Sequence, residues 1–171
     1  MIHLQTKQSI IEHCRDLVEK INYGKRGFAD GKKKRQFLGM ICENTVRDYY
    51  GVELSKPSEG WDGGWDFMWK GMKTDVKSTA YKGKPKTNHR YRVIEDQMRY
   101  DAECFIFAYF NELERIVSIT GWITKDDFLK KSVYNKKGDK MMARFDRYFY
   151  SDSNSYQLKI LDLNPPLFNF E

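Results

Sequence analysis

The chain has 171 residues, with 30 Lys and Arg against 24 Asp and Glu and a net charge of +6. Its length suffices for one domain with a buried core, and 40% hydrophobic with 32% charged content excludes both a disordered chain and a membrane-embedded one. No signal-peptide h-region opens the chain, which predicts a cytoplasmic protein. Three cysteines (Cys14, Cys42, Cys104), without a CxxC pair and with three histidines that complete no zinc pattern, predict reduced core thiols.

Over residues 3–21 the apolar positions Leu4, Ile10, Ile11, Cys14, Leu17, Val18 and Ile21 recur at helical spacing and predict a scaffold helix. A basic loop with Lys25 and Arg26 follows. A second helix is expected over 30–50, with Asp30 as N-cap and Gly51 as its stop. This helix opens on Lys32, Lys33, Lys34 and Arg35. Glu43 lies on the flank of its apolar stripe, where it can pair with Arg47 one turn on or present a carboxylate to a neighbouring element. Residues 52–54 read as a short strand.

Residues 64–77 carry the chemistry. Lys70-Gly71 is a two-residue hairpin loop with Gly where positive φ is most needed. That loop pairs Trp69 with Met72, Phe67 with Thr74 and Asp66 with Asp75. Strand alternation then sets Asp66, Asp75 and Lys77 on one face and Trp65, Phe67, Trp69, Met72 and Val76 on the other, the expected core side. Two carboxylates directly opposed cost free energy unless a cation sits between them, so the pattern predicts a divalent-metal site with a lysine beside it. Asp62, in a Gly-rich loop, is the rival first carboxylate.

After Lys77 comes a basic arm holding Lys82, Lys84, Lys86, His89, Arg90 and Arg92, with no acid between Lys77 and Arg92. Its contribution is affinity for phosphates rather than base recognition, while Tyr81, Tyr91 and Trp61 are candidate base-stacking aromatics. Residues 93–100 read as a short helix carrying Gln97. The apolar run 104–110 reads as a central strand buried on both sides, with 116–122 as its neighbour. Thr124 has the spacing of a cap for a short helix over 125–129. Residues 136–155 are polar and tyrosine-rich without an assignable pattern, 156–163 alternate as a last strand, and 167–170 are expected to fold back on the core. The sum is an α/β (α+β) single domain over 1–171, a central mixed sheet flanked by helices. Its core spans about 30–123, with the N-terminal helix at 3–21 and a helix and strand extension at 124–171.

The order of a helical Glu43, then Asp66, then Asp75-Val76-Lys77 resembles the D…(D/E)xK signature of the PD-(D/E)xK, restriction-endonuclease-like nuclease superfamily. The resemblance covers residues 30–110. Gly121-Trp122-Ile123-Thr124-Lys125-Asp126-Asp127-Phe128 is similar to a segment of small stand-alone phage-type members. Trp65 stands where the superfamily often has proline. Gln97 with Tyr100 is similar to the Gln-to-Tyr motif of its exonuclease branch, but one residue short, which favours endonuclease over exonuclease action.

The resemblance implies a Mg²⁺- or Mn²⁺-dependent deoxyribonuclease, acting in the host cytoplasm if phage-encoded, with structured or branched DNA among its candidate substrates. Asp66, Asp75, the Val76 backbone carbonyl and Glu43 would ligate the metal. Lys77 would orient or deprotonate the water, or stabilise charge on the phosphorane. Gln97 would be auxiliary, and Lys32, Lys33, Lys34, Arg35 and the basic arm would grip DNA. Double-strand cutting by this fold commonly needs a homodimer. Two other readings stay open: a non-catalytic nucleic-acid-binding module on the same fold, and an interaction protein whose charge serves solubility.

Overall fold

The computed structural model describes residues 1–20, 33–56, 63–142 and 148–167. The expectations placed on Ile21, Lys25, Arg26, Asp30, Lys32, Trp61, Asp62 and residues 168–170, and on the Tyr81 side chain, lie outside the described residues.

The fold is α+β, built on a mixed five-stranded sheet. Its strands are β1 (Ile2–Gln5), β2 (Phe67–Trp69), β3 (Met72–Tyr81), β5 (Cys104–Asn111) and β6 (Ile116–Thr124), in spatial order β1-β6-β5-β3-β2. β5 is buried at every position, pairs parallel with β3 and antiparallel with β6, and is the central strand its unbroken apolar run predicts.

Helices α1 (Gln8–Lys20) and α2 (Lys33–Tyr49) cover one face. α1 buries Ile10, Ile11, Cys14, Leu17 and Val18, a stripe at helical period. Its partners in the first core include Ile41, Cys42 and Val46 of α2 and Ile106, Ala108 and Phe110 of β5. α2 ends as Gly51 predicts. Gly51 takes φ 67, its amide donates to Asp48 O, and Val52 N donates to Arg47 O at 2.8 Å, the paired bonds of a Schellman stop.

The opposite face carries a second core of Tyr91, Val93, Phe105, Phe107, Ile123, Phe128 and Leu158. It is roofed by α3 (Lys125–Lys131) and by a three-stranded sheet of β4 (Arg90–Ile94), β10 (Ser155–Lys159) and β7 (Val133–Asn135), in order β4-β10-β7. The Thr124 hydroxyl caps α3 by accepting from Asp127 N, as its spacing predicts. A separate ribbon, β8 (Lys140–Met142) with β9 (Tyr148–Tyr150), occupies the segment that sequence left unassigned. All three cysteines are free and buried, as expected.

Five local expectations are corrected. The helix predicted from residue 3 begins at Gln8, because Ile2 and Leu4 alternate inward on a strand that pairs with β6. Residues 52–54 form no strand. Arg47 donates to Glu53 O, and Ser55 N donates to the buried Asn44 side chain at 2.7 Å, so side chains of α2 satisfy backbone groups a strand partner would take. The helix expected over 93–100 is the end of β4 and a 3-10 turn at Glu95–Arg99. The last strand expected over 156–163 is β10, which stops at Lys159 where Ile160–Asp162 turn into a 3-10 helix. Trp65 packs into the second core, away from Phe67 and Trp69 in the first. The chain turns through Gly63 and Gly64, both at positive φ, just before it, so the strand alternation that relates Phe67 to Trp69 does not extend back to Trp65.

Candidate functional site

The hairpin has the register its turn dictates. Lys70 and Gly71 take φ 51 and 77, the left-handed pair of a type I′ turn, and β2 meets β3 as Phe67↔Thr74, Met68↔Lys73 and Trp69↔Met72. The expected pair of Asp66 with Asp75 does not form: the ladder ends at Phe67↔Thr74, and the Asp66 amide donates to Thr74 O at 2.8 Å instead.

β2 pairs β3 only as far as Thr74, so among the described residues the outer edge of β3 is open from Asp75 onward. Asp66 closes the first step of that edge. Its Oδ2 accepts from Val76 N at 2.7 Å. In an extended strand a residue's N–H and C=O lie on the same edge, so the Val76 carbonyl is directed to the edge that Asp66 occupies.

Asp75 and Lys77 project from β3 towards the second core. Lys77 Nζ lies 2.5 Å from Asp75 Oδ2 and 5.8 Å from the centre of the Phe105 ring, and both partners of the ion pair are largely buried, at 17% and 12% side-chain exposure. Glu43 belongs to α2, on the other face. Its carboxylate takes the i,i+4 pair with Arg47 Nε at 2.8 Å. The same guanidinium donates to Glu53 O and Asp66 O and covers the Phe67 ring at 5.1 Å, which ties α2 to the hairpin. Glu43 thus serves in that pair and still acts on Asp66.

The electrostatics bring the acids together at Asp66. Burial, then the charge of Glu43, then that of Asp75 push its carboxyl well above the ordinary carboxylate range, against the Val76 amide and the Lys77 ammonium. Among the described residues no three acidic, histidine or cysteine side chains are already drawn together to hold a metal. Asp75 is clasped by Lys77 and Glu43 by Arg47 instead. The donor set nonetheless has the chemistry of a hard-cation site. It offers carboxylate oxygens and a strand-edge carbonyl, and the buried Asp66 carboxyl lies within reach of the charges of Glu43 and Asp75.

Between α2 and the later half of β3 lies a pocket of about 520 Å³ whose walls include Lys34, Arg35, Gly39, Ser78, Thr79 and Glu112. Lys34 pairs with Glu112 at 3.1 Å, while Lys33 and Arg35 are exposed. Ser78 and Thr79 were not singled out from sequence, although their position directly after Lys77 on a strand with an open edge marks them.

The predicted basic arm divides. Lys82, Lys84, Lys86 and Arg90 are exposed. His89 is a turn residue, its Nδ1 accepting from Lys86 N at 3.2 Å and its ring stacked on Tyr109. Arg92 is committed inside the protein: it pairs with Asp152 at 2.6 Å and donates to Ser151, Ser153 and Ser155, so its guanidinium is not placed for DNA. Tyr91 is likewise a core residue, 4% exposed. Gln97 sits in the 3-10 turn, where its carbonyl accepts from Tyr100 N.

Tyr100 has a supporting role that sequence did not suggest. Its ring lies under Gly64, where an added Cβ would come within 2.6 Å of Tyr100 Cγ. The turn that delivers Asp66 therefore needs glycine both for its φ of 75 and for this contact.

Compared with protein-family models, with curated proteins and with solved structures, the chain shows no match. No described helix is long and apolar enough to cross a membrane.

Proposed function

We propose that this chain is a divalent-metal-dependent nuclease that hydrolyses phosphodiester bonds in DNA, as an endonuclease. The observation that carries the reading is the enclosed Asp66 carboxyl, held by the Val76 amide of the strand bearing Asp75 and Lys77 and repelled by both Asp75 and Glu43. A buried carboxyl opposed by two neighbouring acids, beside a lysine and an open strand edge, suits a cation and a phosphate better than it suits stability.

Asp66, Asp75, Glu43 and the Val76 carbonyl would hold Mg²⁺ or Mn²⁺, which when bound supplies Lewis acidity towards a phosphate oxygen and a more acidic water. The remaining work falls to the chain. Lys77 Nζ, released from Asp75, would donate to a non-bridging phosphate oxygen or, once deprotonated, take the proton of the attacking water. Ser78 and Thr79 line the pocket along which a strand would continue, and Lys33, Arg35, Lys82, Lys84, Lys86 and Arg90 offer exposed charge for flanking phosphates.

Incubation with plasmid, linear and branched DNA, with and without Mg²⁺ or Mn²⁺, tests this. Nicking or linearisation is expected only with metal. Cleavage that survives EDTA or Asp75→Ala overturns the mechanism. One observation favours a second reading, a DNA-binding module without catalysis: Asp75 and Glu43 are each already paired with a cationic side chain. That reading requires metal-independent, salt-sensitive binding and no cleavage of any substrate.

A further inference from the structure

The ribbon of β8 and β9 shows a surface that the nuclease reading does not use. Tyr148 and Tyr150 are 60% and 72% exposed, whereas Tyr91 and Tyr109 of the cores are 4% and 1% exposed. They stand two positions apart on one strand and so share a face. Lys140 pairs with Tyr150 across the ribbon and holds its Nζ 4.2 Å from the centre of the Tyr148 ring.

The surroundings are basic. Residues 130–141 contain five lysines and one acid. That acid, Asp139, spends a carboxylate oxygen on Lys136 N at 2.7 Å, and nearby Asp152 is bound to Arg92. Lys136, Lys137 and Lys140 are exposed.

The ribbon is nevertheless anchored. Met141 is 3% exposed, and directly after β9 the Arg92 guanidinium of β4 donates to Ser151 Oγ at 3.0 Å and pairs with Asp152 at 2.6 Å. Its base is thus held at a fixed place on the fold while its tyrosines are left to water.

We infer that this ribbon is a binding site for single-stranded nucleic acid, with Tyr148 and Tyr150 stacking on unpaired bases and Lys136, Lys137 and Lys140 neutralising the adjoining phosphates. Exposed rings on one face, set among lysines, match the two things a single strand offers, open base faces and a regular line of charge. A duplex offers only the second, since its bases are already stacked. The occupant is therefore single-stranded rather than double-stranded, and the inference does not depend on cleavage.

The test is fluorescence anisotropy of labelled dT20, U20 and a 20-base-pair duplex with the full chain in EDTA, where no metal-dependent cleavage intervenes. Wild type is expected to bind at least one of the single strands more tightly than the duplex. The Tyr148→Ala/Tyr150→Ala variant is expected to lose about ten-fold or more for that strand. Tyr148→Phe/Tyr150→Phe, which keeps both rings, should bind as wild type does. Lys136→Ala/Lys137→Ala/Lys140→Ala should flatten the salt dependence of that binding by about 2 in log–log slope, at roughly 0.7 per phosphate contact. The lysine variant leaves the rings in place, so it reports even if the alanine pair disturbs the ribbon. The inference fails if the alanine pair, folded by circular dichroism, binds each single strand within two-fold of wild type. It fails equally if the duplex is preferred, or if the alanine pair turns a dimer into a monomer in sedimentation with strand affinity unchanged.

Discussion

The Val76 amide donates to the Asp66 carboxylate at 2.7 Å, so the strand that carries Asp75 and Lys77 also fixes the acid that precedes the hairpin. Substituting that acid separates its two roles. Asp66→Asn keeps an oxygen for Val76 while removing a charge that burial, Glu43 and Asp75 all oppose. Without metal the variant is expected to melt higher than wild type at pH 7.5, by about 2–4 °C for each kcal/mol relieved. It should also lose at least 100-fold in cleavage. Differential scanning fluorimetry beside a plasmid assay reads both. A lower melting temperature for Asp66→Asn would show that the charge is favourable there.

The same carboxyl sets a pH dependence whose sign is opposite to that of a salt-bridged acid. Its pKa in the fold is raised. Between the unfolded value of about 3.9 and the folded one, the native state holds a proton that the unfolded chain has lost. This contribution therefore stabilises at low pH and is lost as pH rises through the folded pKa. Metal-free wild type should lose melting temperature relative to Asp66→Asn as pH climbs from 5 to 8. Added Mg²⁺ should narrow the difference by binding the native state alone. Parallel melting curves for the two proteins across that range would contradict the assignment.

Lys77 is the cation that the acids already have. Its ion pair with Asp75 is mostly enclosed, at 17% and 12% side-chain exposure. Lys77→Met would leave Asp75 without that partner, a loss on the order of 3–5 kcal/mol when a buried pair is broken. Cleavage should fall by roughly 10²–10⁴-fold, the range for a proton-transfer or charge-stabilising group, with DNA affinity within a few-fold of wild type. Urea denaturation with and without Mg²⁺ should show the ion restoring part of the lost stability, since it supplies positive charge to the same acid.

What could be read before the structure follows from how far each signal reaches along the chain. The register of β2 on β3 depends on two residues, Lys70 and Gly71. The cap on α3 depends on Thr124 and Asp127, and the burial of β5 on its own composition. All three are local and were legible. The roof is not local: β10 pairs with β4 and β7 across long sequence separations, and nothing in 155–159 names those partners. Arg92 looked like part of a basic arm because its neighbours are basic, yet its ligands stand about 60 residues away at Asp152 and Ser153. Trp65 was assigned by alternation that the Gly63-Gly64 turn interrupts. For the site, residue types and hairpin order were legible. The Glu43–Arg47 pair was legible too, from its i,i+4 spacing, whereas the clasp of Lys77 on Asp75 and the reach of the Glu43 charge to Asp66 were not.

Gly64 and Gly71 share nearly the same φ, 75 and 77, and differ in what surrounds them. A Cβ at Gly71 meets nothing within 4 Å, so Gly71→Ala carries only the backbone cost, roughly 1 kcal/mol. At Gly64 a Cβ would press on Tyr100 Cγ at 2.6 Å as well, and the ring cannot retreat freely because the Tyr100 carbonyl is held by Lys125 Nζ at 2.6 Å. Gly64→Ala is expected to cost about 2–4 kcal/mol, from the strained backbone and overpacking together. It should also depress cleavage more than Gly71→Ala, since the turn at Gly64 delivers Asp66. Tyr100→Ala should ease the clash, so a Gly64→Ala/Tyr100→Ala double mutant is expected to be less destabilised than the two single costs summed. Chemical denaturation of the four proteins closes that cycle. An additive result would mean that Tyr100 does not hold the turn against Gly64.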